Sequence, residues 1–356
     1  MENEDEKGGK APPEELIKIL TEMIEEKPNY EDLYLCRGNF YLELNDIDNA
    51  LADYNKIMEL NPNNANAYNN RGSLYSDHLR DYEKAVEEYT KAIELNPLLA
   101  LAYYNRASAR NEMTKGSNRT KENFDIIIAD YTKAIEINPD FAGAYYNIGY
   151  IYYGMSDFKK ALQYFRKVVE IKPEFAKDYV NCGLAYLHLN ESDNSLMHFT
   201  KAILLDPNNP TAHHGRGKAY YNLEEYRKAL KDYDEAIRLN PNIAEIYYSR
   251  GIALQDGFLN HADAILDFTK AIEINPYYDG TYNRRGVSFA RLEELKKAAE
   301  DFSKALEINP DERIYYYNRG LANFDSGNLE KVKDDLRKAL GLGFEPAREF
   351  LEELGG

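Results

Sequence analysis

Residues 142–175 read AGAYYNIGYIYYGMSDFKKALQYFRKVVEIKPEF, and the pattern in this stretch returns along nearly the whole chain. Its landmarks are, in order, Tyr145, Gly149, Tyr152, Ala161, Phe165 and Pro173. The same series returns as Tyr34, Gly38, Tyr41, Ala50, Tyr54 and Pro62, and as Tyr282, Gly286, Phe289, Ala298, Phe302 and Pro310. Nine of the prolines from Pro28 to Pro310 recur at spacings of 34, 35, 42, 34, 34, 34, 35 and 34 residues. Such a period is typical of stacked helix–turn–helix units rather than of one compact core.

Each repeat of the pattern predicts two amphipathic helices, A and then B, of about a dozen residues each. Small residues such as Gly72, Gly217 and Ala229 stand where the helices must cross, and they let the axes approach to about 8–10 Å. Aromatic residues fill the space between the helices. Pairs such as Asn61-Pro62 end helix B, because proline cannot continue a helix and restricts the residue before it.

These recurring residues resemble the tetratricopeptide repeat (TPR) family over residues 31–340. Tyrosine fills the fourth position of most repeats, where the family usually carries Trp or another aromatic residue. The resemblance implies an all-α, right-handed α-solenoid of nine tandem helix–turn–helix repeats with a C-terminal capping helix. The predicted repeats are residues 31–64, 65–99, 100–141, 142–175, 176–209, 210–243, 244–278, 279–312 and 313–340.

The flanking segments and one repeat depart from the pattern. Residues 1–12 are charged and aperiodic, which predicts a disordered acidic tail. Residues 13–30 predict an N-terminal capping helix, and residues 341–356 predict a C-terminal one with an apolar inner stripe. Repeat three carries about eight extra residues around 114–123, which we interpret as a loop insertion between its helices. A second contact surface in this insertion is the alternative.

Composition narrows the class of partner. Acidic residues outnumber basic ones by 61 to 44, so the formal net charge is −17. This balance argues against nucleic acid, since phosphate binding needs a strongly basic surface. The sequence contains no apolar run of about 18 residues, so we expect no membrane insertion. Two cysteines, Cys36 and Cys182, and the absence of a visible secretory signal favour a reducing, cytoplasmic location.

Two positions of the repeat vary together. Position 7 is Arg in seven repeats, and position 23, aligned back from the helix B aromatic residue, is acidic in the same seven. The pairs are Arg37–Asp53, Arg71–Glu88, Arg106–Asp130, Arg216–Asp232, Arg250–Asp267, Arg285–Asp301 and Arg319–Asp335. The exceptions coincide in repeats four and five, which carry Ile148 with Tyr164 and Cys182 with His198. Covariation of this kind predicts an ion pair between helices A and B of each repeat.

The resemblance also implies that the A helices line a concave groove, with positions 2, 5, 6, 9, 12 and 13 as the usual contact positions. Position 6 carries an asparagine in five repeats: Asn70, Asn105, Asn147, Asn181 and Asn318. An asparagine amide can both donate to and accept from any peptide backbone. The series therefore predicts the binding of an extended peptide, with local capping or packing as the alternative.

Repeats four and five carry apolar side chains at positions 5, 9 and 12. These are Tyr146, Tyr150 and Tyr153 in repeat four, and Val180, Leu184 and Leu187 in repeat five. Together they predict an aromatic–aliphatic docking patch beside the asparagines, because exposed apolar patches often mark interaction sites. Ordinary packing between repeats is the alternative for positions 9 and 12.

The sequence contains no motif for catalysis. It has no His-Glu-x-x-His, no phosphate-binding loop and no Gly-x-Ser-x-Gly elbow. We therefore expect no enzymatic activity, no cofactor and no metal. The leading interpretation is an interaction scaffold that binds an extended peptide or a partner protein. A regulatory or targeting subunit of an enzyme complex and a self-associating structural array are the alternatives, and the sequence leaves the oligomeric state open.

Overall fold

The computed structural model describes residues 11–115, 120–324 and 329–355, which form α-helices and no strand. The chain divides into two units, Met1–Ile171 and Lys172–Gly356. The first contains α1 Pro13–Glu26, α2 Glu31–Glu43, α3 Ile47–Leu60, α4 Ala65–Ser73, α5 Tyr82–Leu95, α6 Ala100–Met113, α7 Lys121–Ile137, α8 Ala142–Gly154 and α9 Phe158–Ile171. The second contains α10 Ala176–His188, α11 Ser192–Leu205, α12 Pro210–Asn222, α13 Tyr226–Leu239, α14 Ala244–Phe258, α15 His261–Ile274, α16 Asp279–Arg291, α17 Leu295–Ile308, α18 Arg313–Asn323, α19 Leu329–Gly341 and α20 Pro346–Glu353.

Within each unit, a helix packs mainly on the helices next to it in sequence, and A helices also contact the A helix of the next repeat. The prediction of an all-α solenoid of tandem helix–turn–helix repeats is therefore confirmed. The final helix, α20, buries Ala347 and Leu351 against Val332 and Leu336 of α19, so it covers the exposed end of the last hairpin.

Asparagine side chains end the B helices. The Oδ1 atom of Asn61 accepts a hydrogen bond from the backbone N–H two residues later, that of Asn63. The Oδ1 atoms of Asn96 and Asn138 likewise accept from the backbone N–H two residues later. Such a turn satisfies a backbone donor just where the following proline prevents further helix. Between helices A and B the chain turns through a non-glycine residue of positive φ, for example Glu224 at 59°.

In eight of the hairpins an aromatic side chain of helix B packs on a small residue of helix A, and in the last one Leu336 takes the place of the ring. The fully buried rings are Tyr54, Tyr89, Tyr131, Phe165, Phe199, Tyr233, Phe268 and Phe302. A Cβ atom on Gly149 would lie 2.7 Å from the Phe165 ring, and one on Gly217 would lie 2.5 Å from the Tyr233 ring. Both distances are too short for a carbon–carbon contact, so glycine at these points allows the helices to approach closely.

Two departures from the sequence predictions concern helix lengths. Helix α7 has 17 residues where most B helices have 14, so part of the repeat-three insertion lengthens a helix and does not form a loop. Residues 116–119 of that insertion and residues 1–10 of the predicted disordered tail lie outside the described part of the chain. In repeat two, α4 continues as a π-helical turn over Leu74–His78, which the sequence pattern did not predict.

Candidate functional site

The seven predicted ion pairs between helices A and B are all present. Their Nη2–carboxylate distances are 2.6–2.7 Å. In the six aspartate pairs the guanidinium donates from both Nε and Nη2, one bond to each carboxylate oxygen, as Arg285 does to Asp301. The hydrogen bonds that the guanidinium donates to the aspartate raise the pKa of Arg37, Arg216 and Arg319. The arginines are therefore engaged within the repeats, with side chains that are only 14–25% exposed.

The same arginines also join consecutive repeats, which the sequence pattern did not show. The Nη1 of Arg285 donates to the Thr269 hydroxyl, and the Nη1 of Arg319 donates to that of Ser303. Both acceptors directly follow the buried helix B aromatic residue of the preceding repeat. Each guanidinium thus holds three helices together, and its bidentate pairing fixes their orientation.

The position-6 asparagines lie on the A-helix face, and three of them bond to neighbouring residues. The Nδ2 atoms of Asn105, Asn147 and Asn318 donate to Asn69 Oδ1 at 3.1 Å, Tyr131 Oη at 3.0 Å and Asn283 Oδ1 at 2.9 Å. Within the described residues nothing donates to the Oδ1 atoms of these three asparagines. Each amide is therefore held in one orientation, with its carbonyl oxygen left to accept a hydrogen bond.

The other two position-6 asparagines differ from these three. Asn70 accepts a long hydrogen bond, 3.4 Å, from the Nδ2 of the adjacent Asn69. Asn181 is half-buried, and its side chain makes no hydrogen bond to another described residue. In repeat six the position is Gly215, where a Cβ atom would lie 2.2 Å from the Phe199 ring. The buried ring therefore explains why the asparagine series is interrupted there.

An open polar cavity lies on the A-helix face of the first unit. Its volume is about 550 Å³, and residues of three successive A helices contribute to its lining. Ser76 and Asp77 follow α4, Ser108 and Asn111 belong to α6, and Asn147 belongs to α8. The cavity thus combines hydroxyl, amide and carboxylate groups, which can pair with a peptide backbone and its polar side chains.

The three tyrosines that repeat four contributes to the predicted patch are not equally exposed. Tyr150 is 62% exposed and stacks on Tyr146 with ring centroids 6.2 Å apart. Tyr146 and Tyr153 each pack on the buried Phe165 ring, at 6.3 and 6.4 Å. Burial raises the pKa of Tyr153. Tyr150 is therefore the most exposed of the three, and the other two rings pack against the core.

The aliphatic half of the predicted patch needs a correction. Val180 is only 6% exposed and Leu187 only 9%, because both pack in a core cluster with Phe199, Ala212 and Ala219. Leu184 is half-buried against the same cluster. Leu187, at position 12, therefore packs between repeats as the alternative interpretation states, and Val180, at position 5, is buried although that alternative did not include it. Neither offers its side chain to a ligand.

A second open cavity, of about 480 Å³, lies in the second unit on α12, α14 and the turn before α16. Its aromatic lining includes Tyr248, Tyr277 and Tyr278, and its charged lining includes Lys218 and Glu245. The repeat pattern did not predict this cavity. The available signals were Tyr248 at contact position 5 of repeat seven and the doubled tyrosine after Pro276.

His214 lines this second cavity as a neutral imidazole. Burial lowers its pKa to about 4, and the Lys218 ammonium adds to the effect. The Ser249 hydroxyl donates to the Glu245 carbonyl oxygen, so it accepts from the Nε2 of His214 at 2.9 Å. The Nε2–H tautomer follows from this geometry, with Nδ1 as the acceptor nitrogen.

Neither a metal centre nor a membrane segment is apparent in the described residues. No group of three or more His, Cys, Asp and Glu side chains is arranged there to hold a metal ion. None of the described helices combines the length and the apolar character needed to cross a membrane.

Comparisons with known proteins give the family. Models described as "Tetratricopeptide repeat" match residues 142–175, 179–209, 210–243, 281–312 and 315–342, and one described as "TPR repeat" matches residues 38–78 and 80–113. Together these matches span more than half of the chain. No match to a curated protein sequence was found.

Solved structures with similar folds include two that align with about half of this chain. YrrB, a TPR protein with an unusual peptide-binding site, is 26% identical over 50% of this chain and 92% of its own, with a TM-score of 0.44. MamA from Desulfovibrio magneticus RS-1 is 24% identical over 48% and 96%, with a TM-score of 0.43.

A longer alignment supports the fold. The APC/C hetero-tetramer Cut9–Hcn1 is 13% identical over 95% of this chain and 87% of that one, with a TM-score of 0.53. At this identity the likeness concerns architecture alone. The repeated hairpins, the matched family models and this architecture agree, and the chain belongs to the tetratricopeptide repeat family.

Proposed function

We propose that this protein is an interaction scaffold whose A-helix face binds an extended segment of a partner protein. The observation that supports this most strongly is the open polar cavity of the first unit, to which three successive A helices contribute. A surface of this kind is already formed before the partner arrives. Preorganisation lowers the entropy cost of capturing a flexible segment.

The asparagine amides supply the contacts to the partner's backbone in this proposal. Asn105 and Asn147 are fixed by donating from Nδ2 within the first unit, so their Oδ1 atoms are positioned to accept peptide N–H groups. Backbone pairing does not depend on the partner's side chains. Binding through the amides is therefore tolerant of sequence, and specificity comes from neighbouring side chains.

Tyr150 supplies an apolar contact beside these amides. Its ring is mostly exposed, and it is held in place by stacking on Tyr146. Tyrosine is enriched among residues that dominate binding energy, because it adds a large contact area at low entropic cost. An apolar side chain of the partner would cover the Tyr150 ring and remove it from water.

The experiment starts from a random 12-residue peptide library displayed on phage and selected on the full chain. A selected peptide is then titrated calorimetrically against the wild type, Tyr150→Ala and Leu98→Ala. Leu98 is the matched control because it is 75% exposed in the turn between α5 and α6. We expect Tyr150→Ala to weaken binding by roughly 1–2 kcal/mol and Leu98→Ala to leave it unchanged, with helicity retained in both.

Two results would contradict this prediction. A library that returns no binder opposes the scaffold proposal as a whole. The second result concerns the selected peptides that bind the first unit. If each of them has the same affinity for the wild type and for Tyr150→Ala, Tyr150 is not part of the binding surface.

A further inference from the structure

The second-unit cavity has an aromatic wall, formed by Tyr248, Tyr277 and Tyr278. The Tyr248 and Tyr278 ring centroids lie 4.9 Å apart with planes inclined by 58°, so the two rings meet at an open angle. Tyr277 is 82% exposed next to them. Aromatic faces carry partial negative charge and attract cations placed over them. The wall therefore offers both apolar area and a favourable field for a positive group.

The acidic group of this cavity lies beside the aromatic wall. Glu245 stands one helical turn before Tyr248 on α14 and is exposed. Among the described residues, no Lys, Arg or His side chain forms an ion pair with its carboxylate. Burial raises the pKa of Tyr278, as do its hydrogen bond with Tyr248 and the nearby carboxylates of Asp279 and Glu245. A positive group in this cavity would therefore be attracted both by the Glu245 carboxylate and by the aromatic wall.

The positive group of the cavity comes from another helix. Lys218 lies on α12, one turn after His214, and is exposed without an acidic partner among the described residues. His214, which also lines the cavity, is neutral, so it neither attracts nor repels a charged group of a partner. The Arg284 guanidinium pairs with Asp256, which also accepts from the Tyr221 hydroxyl. The free charges of this cavity are thus one carboxylate near the aromatic wall and one ammonium on α12.

We infer that the aromatic wall and Glu245 form a subsite for a basic side chain, arginine or lysine, of the bound partner segment. This inference rests on the proposed scaffold function and adds the chemistry of one partner residue. The planar guanidinium of arginine can stack on a tyrosine face while it donates to a carboxylate. An acidic partner residue would meet Glu245 and the tyrosine faces, both of which repel it.

The test uses the same random 12-residue library, selected in parallel on the full wild-type chain and on Glu245→Gln. Wild-type binders are expected to be enriched in Arg or Lys at one position, and Glu245→Gln binders are not. Glu273→Gln is the matched control, because Glu273 pairs with Lys270 on α15 outside the cavity. Circular dichroism of each variant verifies that the helices are intact.

One selected peptide is then resynthesised with citrulline in place of the enriched arginine, or norleucine in place of a lysine. Citrulline keeps the shape of arginine without its charge. We expect this peptide to bind the wild type roughly tenfold more weakly and to lose much less on Glu245→Gln. Tyr248→Ala is expected to weaken the arginine peptide to a similar degree, while Lys218→Gln raises its affinity by removing a repulsive charge.

The outcomes separate this inference from the proposed function. Binders without an enriched basic residue, or equal binding of the citrulline peptide, overturn the subsite and leave the scaffold proposal intact. Weaker binding by Lys218→Gln also overturns it, since that result indicates an acidic partner residue. A library without any binder opposes the scaffold proposal, and the subsite with it.

Discussion

Asp301→Leu is expected to lower the free energy of unfolding of the second unit by about 3–5 kcal/mol. The substitution leaves the Arg285 guanidinium, whose side chain is only 17% exposed, without its bidentate partner. The bond from Nη1 to the Thr269 hydroxyl remains, but the charge has lost hydration without a carboxylate to compensate for it. Urea denaturation followed by circular dichroism measures the change.

The double variant Asp301→Leu/Arg285→Leu distinguishes pairing from mere packing. Because it removes both charges, we expect it to be more stable than Asp301→Leu alone. Glu307→Leu is the surface control: its pair with Lys304 is exposed, so a change within about 0.5 kcal/mol is expected. Additive losses from the two single substitutions would argue against the coupling. Asp232 is a less clean choice, since His213 also lies 3.5 Å from its carboxylate.

Gly215→Ala is expected to destabilise the second unit by about 2–3 kcal/mol. The added Cβ atom would lie 2.2 Å from the Phe199 ring, which is fully buried. Alanine is the better helix former by about 1 kcal/mol, so the packing cost must exceed this gain. Thermal unfolding of the purified variant gives the net effect.

Gly154→Ala is the control for this prediction. Nothing lies within 4 Å of the Cβ atom that alanine would add at Gly154, at the end of α8. We expect unchanged or slightly raised stability there. If Gly215→Ala were as stable as the wild type, the close packing of α12 on Phe199 would be wrong.

The sequence predicted the fold and the ion pairs well because both repeat. Nine copies of one pattern make positions such as Pro173 and Gly149 visible against a variable background. Arg285 and Asp301 could be paired for the same reason, since they vary together across repeats and are absent together twice. Contacts that recur from hairpin to hairpin can therefore be predicted from the periodicity of the sequence.

The candidate site was less accessible from the sequence because it depends on differences between repeats. Val180 and Leu187 occupy contact positions by count, but the Phe199 cluster draws both into the core. Tyr150 stays exposed at the same kind of position in repeat four. Periodicity assigns a side chain to a helix face, and burial then depends on which neighbouring side chains fill the space.

The aromatic wall was missed for a related reason. Tyr277 and Tyr278 lie in the turn after Pro276, outside the six contact positions considered in each repeat. Only the folded chain brings them beside Tyr248 and Glu245. Because these two tyrosines lie in a turn, the periodicity of the helices on either side, α15 and α16, does not show that they approach an A helix.

Hydrogen–deuterium exchange of the full chain, with and without a library-selected peptide, decides whether the A-helix face is the binding surface. We predict slower exchange in A helices, in α6 and α8 of the first unit or in α12 and α14 of the second, with the B helices between them little changed. Protection confined to B helices such as α11 and α13, with no change in the A helices, would contradict the proposed function.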